Sequence, residues 1–211
     1  MNKKEVKDYQ KGTSGLNNLN LKFFTDLLMN VEHFIFFGTL LGVTRDNELI
    51  ENDDDIDFYV NLKDRNKLIN SLKINNIEVD LTAAHNKDIH FLQVKRVLEE
   101  KILFTDFYFY ENDIEKNFII ERWNFEGGTH KPSKHLKIPK KFIYPIKMIE
   151  FNNYQIFVPA RSELLCEFLY GKKWKKKFIK DLDYKIKVIN GRPHFFLIKR
   201  FLFFKWLSLS S

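Results

Sequence analysis

Three aspartates are the residues of this sequence best suited to chemistry. Asp55 and Asp57 lie in the acidic run 52–57, and Asp106 lies in the apolar run 102–110. If residues 55–60 form a strand, Asp55 and Asp57 point to one face about 7 Å apart, because side chains alternate along a strand. Carboxylate oxygens at that spacing can share divalent cations, and such hard ligands favour Mg²⁺ or Mn²⁺. The alternative is a solvated acidic turn before a strand.

The setting of Asp106 bears on this choice. Its sequence neighbours include Phe104 and Phe107, and a lone carboxylate in an apolar strand is costly unless it is paired or bound to a metal. By itself, Asp106 could also be an outward-facing strand residue. If its strand neighbours the strand of Asp55 and Asp57, three carboxylates converge, and we predict a metal-dependent catalytic site formed by Asp55, Asp57 and Asp106.

A strand, a glycine and a helix are predicted just upstream of the acidic run. Residues 33–37 have the pattern of a buried strand, and a helix can begin directly after it at Thr39. Gly38 would let the backbone approach a phosphate, and the Thr39 hydroxyl with the helix N-terminus could bind an anion. Arg45 could clamp a phosphate or pair with the acidic run, and both roles stay open.

The remaining pattern indicates an α+β or mixed α/β domain, because helices alternate with largely sequential strands. The predicted helices span 16–31, 64–72 with Asp64 as N-cap, and 159–170. The predicted strands span 77–82, 89–96 and 102–110 as a meander, followed by a hairpin over 143–158 that turns at Asn152-Asn153. Residues 123–141 are predicted to be a long loop in which His130 and Lys134 could contact a phosphate, or simply face solvent.

Positive charge is concentrated at the C-terminal end. Residues 161–211 carry 13 Lys and Arg against 4 Asp and Glu, within a net charge of +7. Five lysines surround Trp174, and a Phe-rich run follows Pro193. We predict a helical basic and aromatic tail, either packed on the core or bound to an anionic membrane surface. Nucleic acid is the less favoured partner.

The sequence also suggests a division of the chain and a location. We predict a flexible N-terminus over residues 1–15, a catalytic domain over 16–175 and the basic, aromatic segment over 176–211. Residues 1–20 lack the apolar core of a secretory signal, and no apolar run reaches the roughly 18 residues of a membrane span. These features predict a cytoplasmic protein, with peripheral attachment to the inner face of the membrane as the second option.

The run Gly38-Thr39-Leu40-Leu41-Gly42-Val43-Thr44-Arg45, separated by nine residues from Asp55-Ile56-Asp57, resembles the signature of the LicD family. That family includes bacterial phosphocholine transferases and is related to the fukutin proteins. Asp106 is similar to the family's third carboxylate, and 157–171 is similar to its strand–proline–helix–Tyr-Gly end. Asn52 stands where the family usually has Trp, which puts the wall of the donor pocket in doubt.

The resemblance implies a nucleotidyltransferase-like mixed sheet flanked by helices. It further implies transfer of phosphocholine or a phospho-polyol from a CDP-linked donor to a sugar hydroxyl of a cell-surface or lipid-linked glycan. One of the three aspartates, or Asp53 nearby, would accept the hydroxyl proton. Two rival functions remain: a nucleotidyltransferase that moves NMP from an NTP, and a non-catalytic basic binding module.

Overall fold

The computed structural model describes residues 14–51, 53, 55–77, 79, 89–123, 132–177 and 184–197. The helices are α1 Ser14–Leu27, α2 Phe37–Asp46, α3 Arg65–Ile74, α4 Lys140–Ile143 and α5 Ser162–Tyr170. The strands are β1 His33–Ile35, β2 Asp55–Asn61, β3 Phe91–Leu98, β4 Lys101–Asp113, β5 Phe118–Glu121, β6 Leu136–Pro139, β7 Lys147–Phe151, β8 Tyr154–Val158, β9 Tyr184–Ile189 and β10 Arg192–Leu197.

A six-stranded mixed sheet forms the centre of the described chain. β2 pairs antiparallel with β1 and parallel with β4. On the other side of β4, β3 and β5 pair antiparallel with successive parts of that long strand, and β6 pairs with β5. β4 therefore pairs with three strands, β2, β3 and β5, and connects the two sides of the sheet. It also carries Asp106.

Helices cover both faces of this sheet. On one face, the Phe24 ring of α1 contacts the Phe107 ring of β4, with centroids 5.5 Å apart. On the opposite face, the Phe37 ring of α2 contacts Tyr108, with centroids 5.0 Å apart. Consecutive residues of β4 thus face different helices, as strand alternation requires. The predicted α+β fold, with a mixed sheet between helices, is confirmed.

Glu32 links β1, β2 and β4 at the end of the sheet away from Asp106. Its carboxylate accepts hydrogen bonds from Tyr110 (2.7 Å), Tyr144 (2.8 Å), Asn61 (3.1 Å) and Lys63 (2.8 Å). Burial raises the pKa of Glu32, but these four donors outweigh burial and lower the pKa to about 2. The charged form is therefore the one that fastens β1 to β2 and β4.

Several local predictions need correction. Asp64 precedes α3 but makes no capping bond; instead its carboxylate accepts the Glu32 N–H at 3.1 Å and pairs with Lys67 at 2.8 Å. The predicted hairpin turns at Asn152-Asn153 as expected, but its first strand begins at Lys147, since Ile143 ends α4 and residues 144–146, which include Pro145, are not in the strand. The predicted loop over 123–141 contains β6. Most of the predicted strand over 77–82 lies outside the described residues.

The predicted helical tail is wrong for residues 184–197, which form the antiparallel hairpin of β9 and β10. Polar and apolar residues alternate along β9, and Asn190 and Gly191 both have positive φ, at 51° and 80°. Such a two-residue turn matches the twist of a hairpin and overrides the helical reading. Val188 is 1 % exposed and belongs to the core. Residues 198–211 lie outside the described part.

Trp174 is buried while the five lysines around it are exposed, which for this residue agrees with the core-packed alternative. The aromatic half of the predicted basic and aromatic surface at 172–177 therefore belongs to the core. Within the described ranges, no helix combines the length and the apolar character needed to cross a membrane.

Candidate metal centre and active site

The strand register brings the three predicted carboxylates together. Asp57 of β2 lies directly opposite Asp106 of β4 in the parallel pair. Asp55 lies two residues before Asp57 and shares its face. One carboxylate oxygen from each of the three residues lies within 4.8 Å of the other two. Asp57 and Asp106 are each 5 % exposed, so the cluster opens to solvent mainly at Asp55.

The turn between β1 and α2 holds Asp57 by its main chain and its side chain. The Gly38 N–H donates to Asp57 Oδ2 at 3.0 Å, and the Asp57 N–H donates to Thr39 Oγ1 at 2.9 Å. Phe37 has a φ of 39°, which is rare for a bulky residue and is found where surrounding packing imposes it. The Phe37 ring packs against Tyr108, as described above. The turn therefore fixes the Asp57 carboxylate, and the Thr39 oxygen already accepts one main-chain hydrogen bond.

Gly38 has no room for a side chain. A Cβ at this position would lie 2.6 Å from Asp53 Oδ2 and 3.4 Å from Asp57 Oδ2. The loop that carries Asp53 is held in turn by α1, since the Asn17 amide donates to the Asp53 carbonyl at 3.0 Å. The glycine thus allows a fourth carboxylate, that of Asp53, to approach the cluster.

Two side chains that the sequence analysis did not select contact Asp106. The Gln93 amide donates to Asp106 Oδ1 at 2.7 Å, and the Tyr108 hydroxyl donates to Oδ2 at 3.4 Å. Burial raises the pKa of Tyr108, and the nearby carboxylates of Asp106, Asp57 and Asp55 raise it further. The phenol therefore stays protonated and can donate.

The position of Gln93 follows from the register of the β3–β4 pair. A two-residue turn at Glu99-Glu100 sets Leu98 opposite Lys101, and counting back along both strands sets Gln93 opposite Asp106. Both glutamates have positive φ, at 49° and 63°. Asn and Gly are the usual residues of such turns. The two glutamates therefore did not indicate in the sequence which residues of β3 and β4 pair with each other.

Arg45 lies at the other end of α2 from Gly38. Gly38 and Arg45 are seven positions apart, which corresponds to about 10 Å of helix. Its guanidinium donates to Asp46 Oδ2 through Nε at 3.0 Å and through a terminal nitrogen at 2.7 Å. Lys177 lies 3.6 Å from the same carboxylate. Asp46 lies outside the acidic run 52–57, so this contact is neither of the two roles left open for Arg45.

Of the two candidate residues in the predicted loop over 123–141, the structure describes only Lys134. Lys134 ends a 3₁₀ turn, Pro132–Lys134, just before β6. This turn lies beside the C-terminal hairpin, because the Gly191 N–H donates to the Ser133 carbonyl at 3.4 Å. His130 lies outside the described residues.

The donor set of the carboxylate cluster fits a divalent cation. Three carboxylates this close repel one another when charged, and partial burial strengthens the repulsion. A hard divalent cation offsets that repulsion, and Mg²⁺ is commonly held by one or two carboxylates together with waters and substrate phosphates. The cluster could therefore bind such a cation through Asp55, Asp57 and Asp106.

Comparison with known proteins identifies the family. The family described as LicD/FKTN/FKRP, nucleotidyltransferase domain, matches residues 30–161, more than half of the chain. The chain belongs to the LicD family. The matched range includes the Gly38 turn and all three carboxylates of the cluster, so these residues are part of the LicD domain. Membership indicates an enzyme with phosphotransferase or nucleotidyltransferase-type chemistry.

Other comparisons are less informative. The structure of a lincosamide antibiotic adenylyltransferase, LnuA, with bound lincomycin is similar to this LicD domain at a TM-score of 0.43 and 16 % identity, covering 68 % of this chain and 80 % of that one. No curated protein sequence matches the chain significantly.

Proposed function

We propose that this LicD domain transfers phosphocholine or a phospho-polyol from a CDP-linked donor to a sugar hydroxyl of a cell-surface or lipid-linked glycan, with Mg²⁺ or Mn²⁺ as cofactor. The observation that carries the proposal is the convergence of Asp55, Asp57 and Asp106 within 4.8 Å in a domain of this family. Three intact carboxylates argue against a non-catalytic basic module.

In this reaction the sugar oxygen forms a bond to the phosphorus that bears the head group. The bond from that phosphorus to the bridging oxygen breaks, and CMP leaves with the electron pair. A divalent cation, when bound, would neutralise charge on the phosphates and on the leaving CMP. We assign cation binding to Asp55, Asp57 and Asp106, whose strands hold them on one face.

The hydroxyl proton needs an acceptor close to the cluster. We assign this role to Asp53, because its Oδ2 lies 2.6 Å from the space that a Gly38 side chain would fill. A carboxylate committed to a cation is a weaker base than one beside it, so Asp53 suits general-base catalysis better than the three ligands. Thr39, Lys134 and His130 remain proposed contacts of the donor phosphates.

Thermal unfolding with candidate donors tests the proposal. CDP-choline, CDP-ribitol, CDP-glycerol and NTPs are each added with Mg²⁺, and a donor at 100 times its Kd should add about 2.7 kcal/mol to the free energy of unfolding. We expect a CDP-linked compound to raise the melting temperature more than NTPs do, and only with the cation present. The head group is identified by which compound has the largest effect.

Product analysis then separates the two reaction types. Release of CMP from the stabilising donor in the presence of a glycan acceptor is the expected result. Release of pyrophosphate from an NTP would instead establish the rival nucleotidyltransferase activity. A protein that neither binds nor turns over any of these compounds would contradict both.

We also propose that the enzyme works at the inner face of the membrane, where a lipid-linked acceptor would be found. Five exposed lysines support this idea: Lys172, Lys173, Lys175, Lys176 and Lys177. A basic residue near an anionic leaflet contributes about 1 kcal/mol to binding. Because Trp174 is buried, the described part of this surface would bind by charge, and salt should weaken it.

Replacing the five lysines by glutamine is therefore expected to reduce binding to phosphatidylserine-containing vesicles at low salt by about 1,000-fold or more, because each charge contributes about 1 kcal/mol and each 1.4 kcal/mol is tenfold in affinity. Vesicle co-sedimentation measures this effect. The matched control replaces five exposed lysines elsewhere: Lys22, Lys73, Lys116, Lys141 and Lys147. Equal losses in both variants, or a native protein that does not bind the vesicles, would disprove a specific membrane surface.

A further inference from the structure

The third strand of the site, β3, contributes a side chain aimed at the carboxylates. Gln93 lies directly opposite Asp106 in the β3–β4 pair, as Asp57 does in the β2–β4 pair. Asp57, Asp106 and Gln93 therefore form one row across three adjacent strands, on one face of the sheet. Nearest neighbours in such a row have Cβ atoms about 5 Å apart, so the amide reaches Asp106 without crossing another residue.

The hydrogen bond between Gln93 and Asp106 is short, and its direction is fixed by chemistry. The Gln93 nitrogen lies 2.7 Å from Asp106 Oδ1, and only the N–H₂ end of an amide can donate to a carboxylate. An oxygen accepting one hydrogen bond still has a second lone pair. Gln93 can therefore fix the orientation of the carboxylate without removing its capacity to bind a cation.

Neighbouring residues of β3 on the same face make different contacts. Phe91 stacks on Trp123 with centroids 4.8 Å apart, and the Lys95 amino group lies 5.8 Å from the centre of the Phe104 ring. Packing against aromatic rings thus accounts for the residues on either side of Gln93. Gln93 itself is placed by its polar contact with the acidic cluster.

We infer that Gln93 is a positioning residue that orients Asp106 for divalent-cation binding. The inference rests on the proposed metal-dependent function. Asp106 and Asp57 stand side by side and repel each other in the metal-free protein, so a donor on Asp106 offsets part of the repulsion and limits rotation of the carboxylate. Partners of this kind, which hold a metal ligand through a hydrogen bond, commonly change metal affinity by 10–100-fold when they are removed.

Mn²⁺ binding without any donor substrate is the direct test, measured by titration calorimetry on the full chain. Gln93→Met keeps the length of the side chain but has no N–H, and we expect it to weaken Mn²⁺ binding by about 10–100-fold. Gln93→Asn keeps the amide but withdraws it by one methylene, and we expect a loss in the same direction. Gln155→Met, at an exposed glutamine on β8, is the matched control and should bind Mn²⁺ like the native protein.

Activity provides a second readout that a purely structural role would not move. In Gln93→Met, the Mg²⁺ concentration for half-maximal rate should rise by a factor similar to the loss of Mn²⁺ affinity. At saturating Mg²⁺, the KM for the donor should stay within about twofold of the native value, because Gln93 acts on the ligand and not on the donor.

The outcomes separate this inference from the proposed function. If Asp57→Asn binds Mn²⁺ as tightly as the native protein, the metal site itself is wrong. If Asp57→Asn loses binding while Gln93→Met and Gln93→Asn keep native affinity, the role of Gln93 is wrong and the proposed function stands. A Gln93→Met protein that fails to fold leaves the Gln93→Asn variant to decide.

Discussion

Asp57→Asn should abolish transfer activity and leave the fold intact. Asp57 is the central residue of the cluster, since it lies beside Asp106 on one side and accepts the Gly38 N–H at 3.0 Å on the other. An amide is a poor ligand for Mg²⁺ compared with a carboxylate, and a bound cation supplies several kcal/mol of charge stabilisation in such reactions. Each 1.4 kcal/mol is about tenfold in rate, so we expect kcat to fall by about 1,000-fold or more.

The fold should survive because the substitution removes a repulsion. The side-chain amide introduced by Asp57→Asn would still have an oxygen to accept the Gly38 N–H, and one fewer negative charge would remain in the cluster. Without metal, the free energy of unfolding should be equal to or slightly above that of the native protein. Urea unfolding with EDTA present measures it, and steady-state release of CMP measures the activity.

Asp26→Asn is the control for this prediction. Asp26 is exposed on α1 and pairs with Lys22, and exposed pairs of this kind contribute at most about 1 kcal/mol. Its activity should equal the native value. Native turnover in Asp57→Asn would end the case for catalysis at the cluster.

Gly38→Ala should lose activity by displacing the Asp53 carboxylate. The new methyl group would lie 2.6 Å from Asp53 Oδ2, which must move, and 3.4 Å from Asp57 Oδ2, which is close to ordinary contact distance. Misplacement of a reacting group by about 1 Å can cost about 100-fold in rate, and we expect kcat/KM to fall by about that factor. The backbone can accept alanine here, since Gly38 has no positive φ.

Two other glycines make this test specific. Gly15→Ala on α1 meets nothing within 4 Å, so its activity should not change. At Gly42 a Cβ would lie 2.6 Å from the Glu48 carbonyl oxygen and 2.9 Å from the Ile50 nitrogen, and main-chain atoms cannot rotate away. Gly42→Ala should therefore lower the free energy of unfolding by about 1–3 kcal/mol, whereas Gly38→Ala should change it little.

Calorimetric unfolding and CMP release, measured on all three variants, check this pattern. The expected pattern is a loss of rate at Gly38, a loss of stability at Gly42 and neither at Gly15. If Gly38→Ala keeps native kcat/KM, then the approach of Asp53 to the cluster has no part in the reaction, and Asp53 is not the general base.

The sequence by itself determined the strand of the site and the shared face of its two carboxylates. Residues 55–61 alternate in polarity, and this fixes Asp55 and Asp57 on one face whichever strand comes to lie beside them. The motif from Gly38 to Arg45 followed by Asp55-Ile56-Asp57 was enough to suggest the family that the comparison confirms. The apolar neighbours of Asp106 predicted that it needs a partner, since burial of an isolated charge is costly.

Tertiary structure alone decided which residues from distant segments meet. Periodicity states which face a side chain occupies but not which strand is its neighbour, because strand pairing depends on contacts between residues far apart in the chain. The placing of Gln93 on Asp106 followed from strand pairing. The C-terminal hairpin and the burial of Trp174 have the same cause, because an aromatic and basic run is compatible with core packing or with surface binding until the core against which it packs is known.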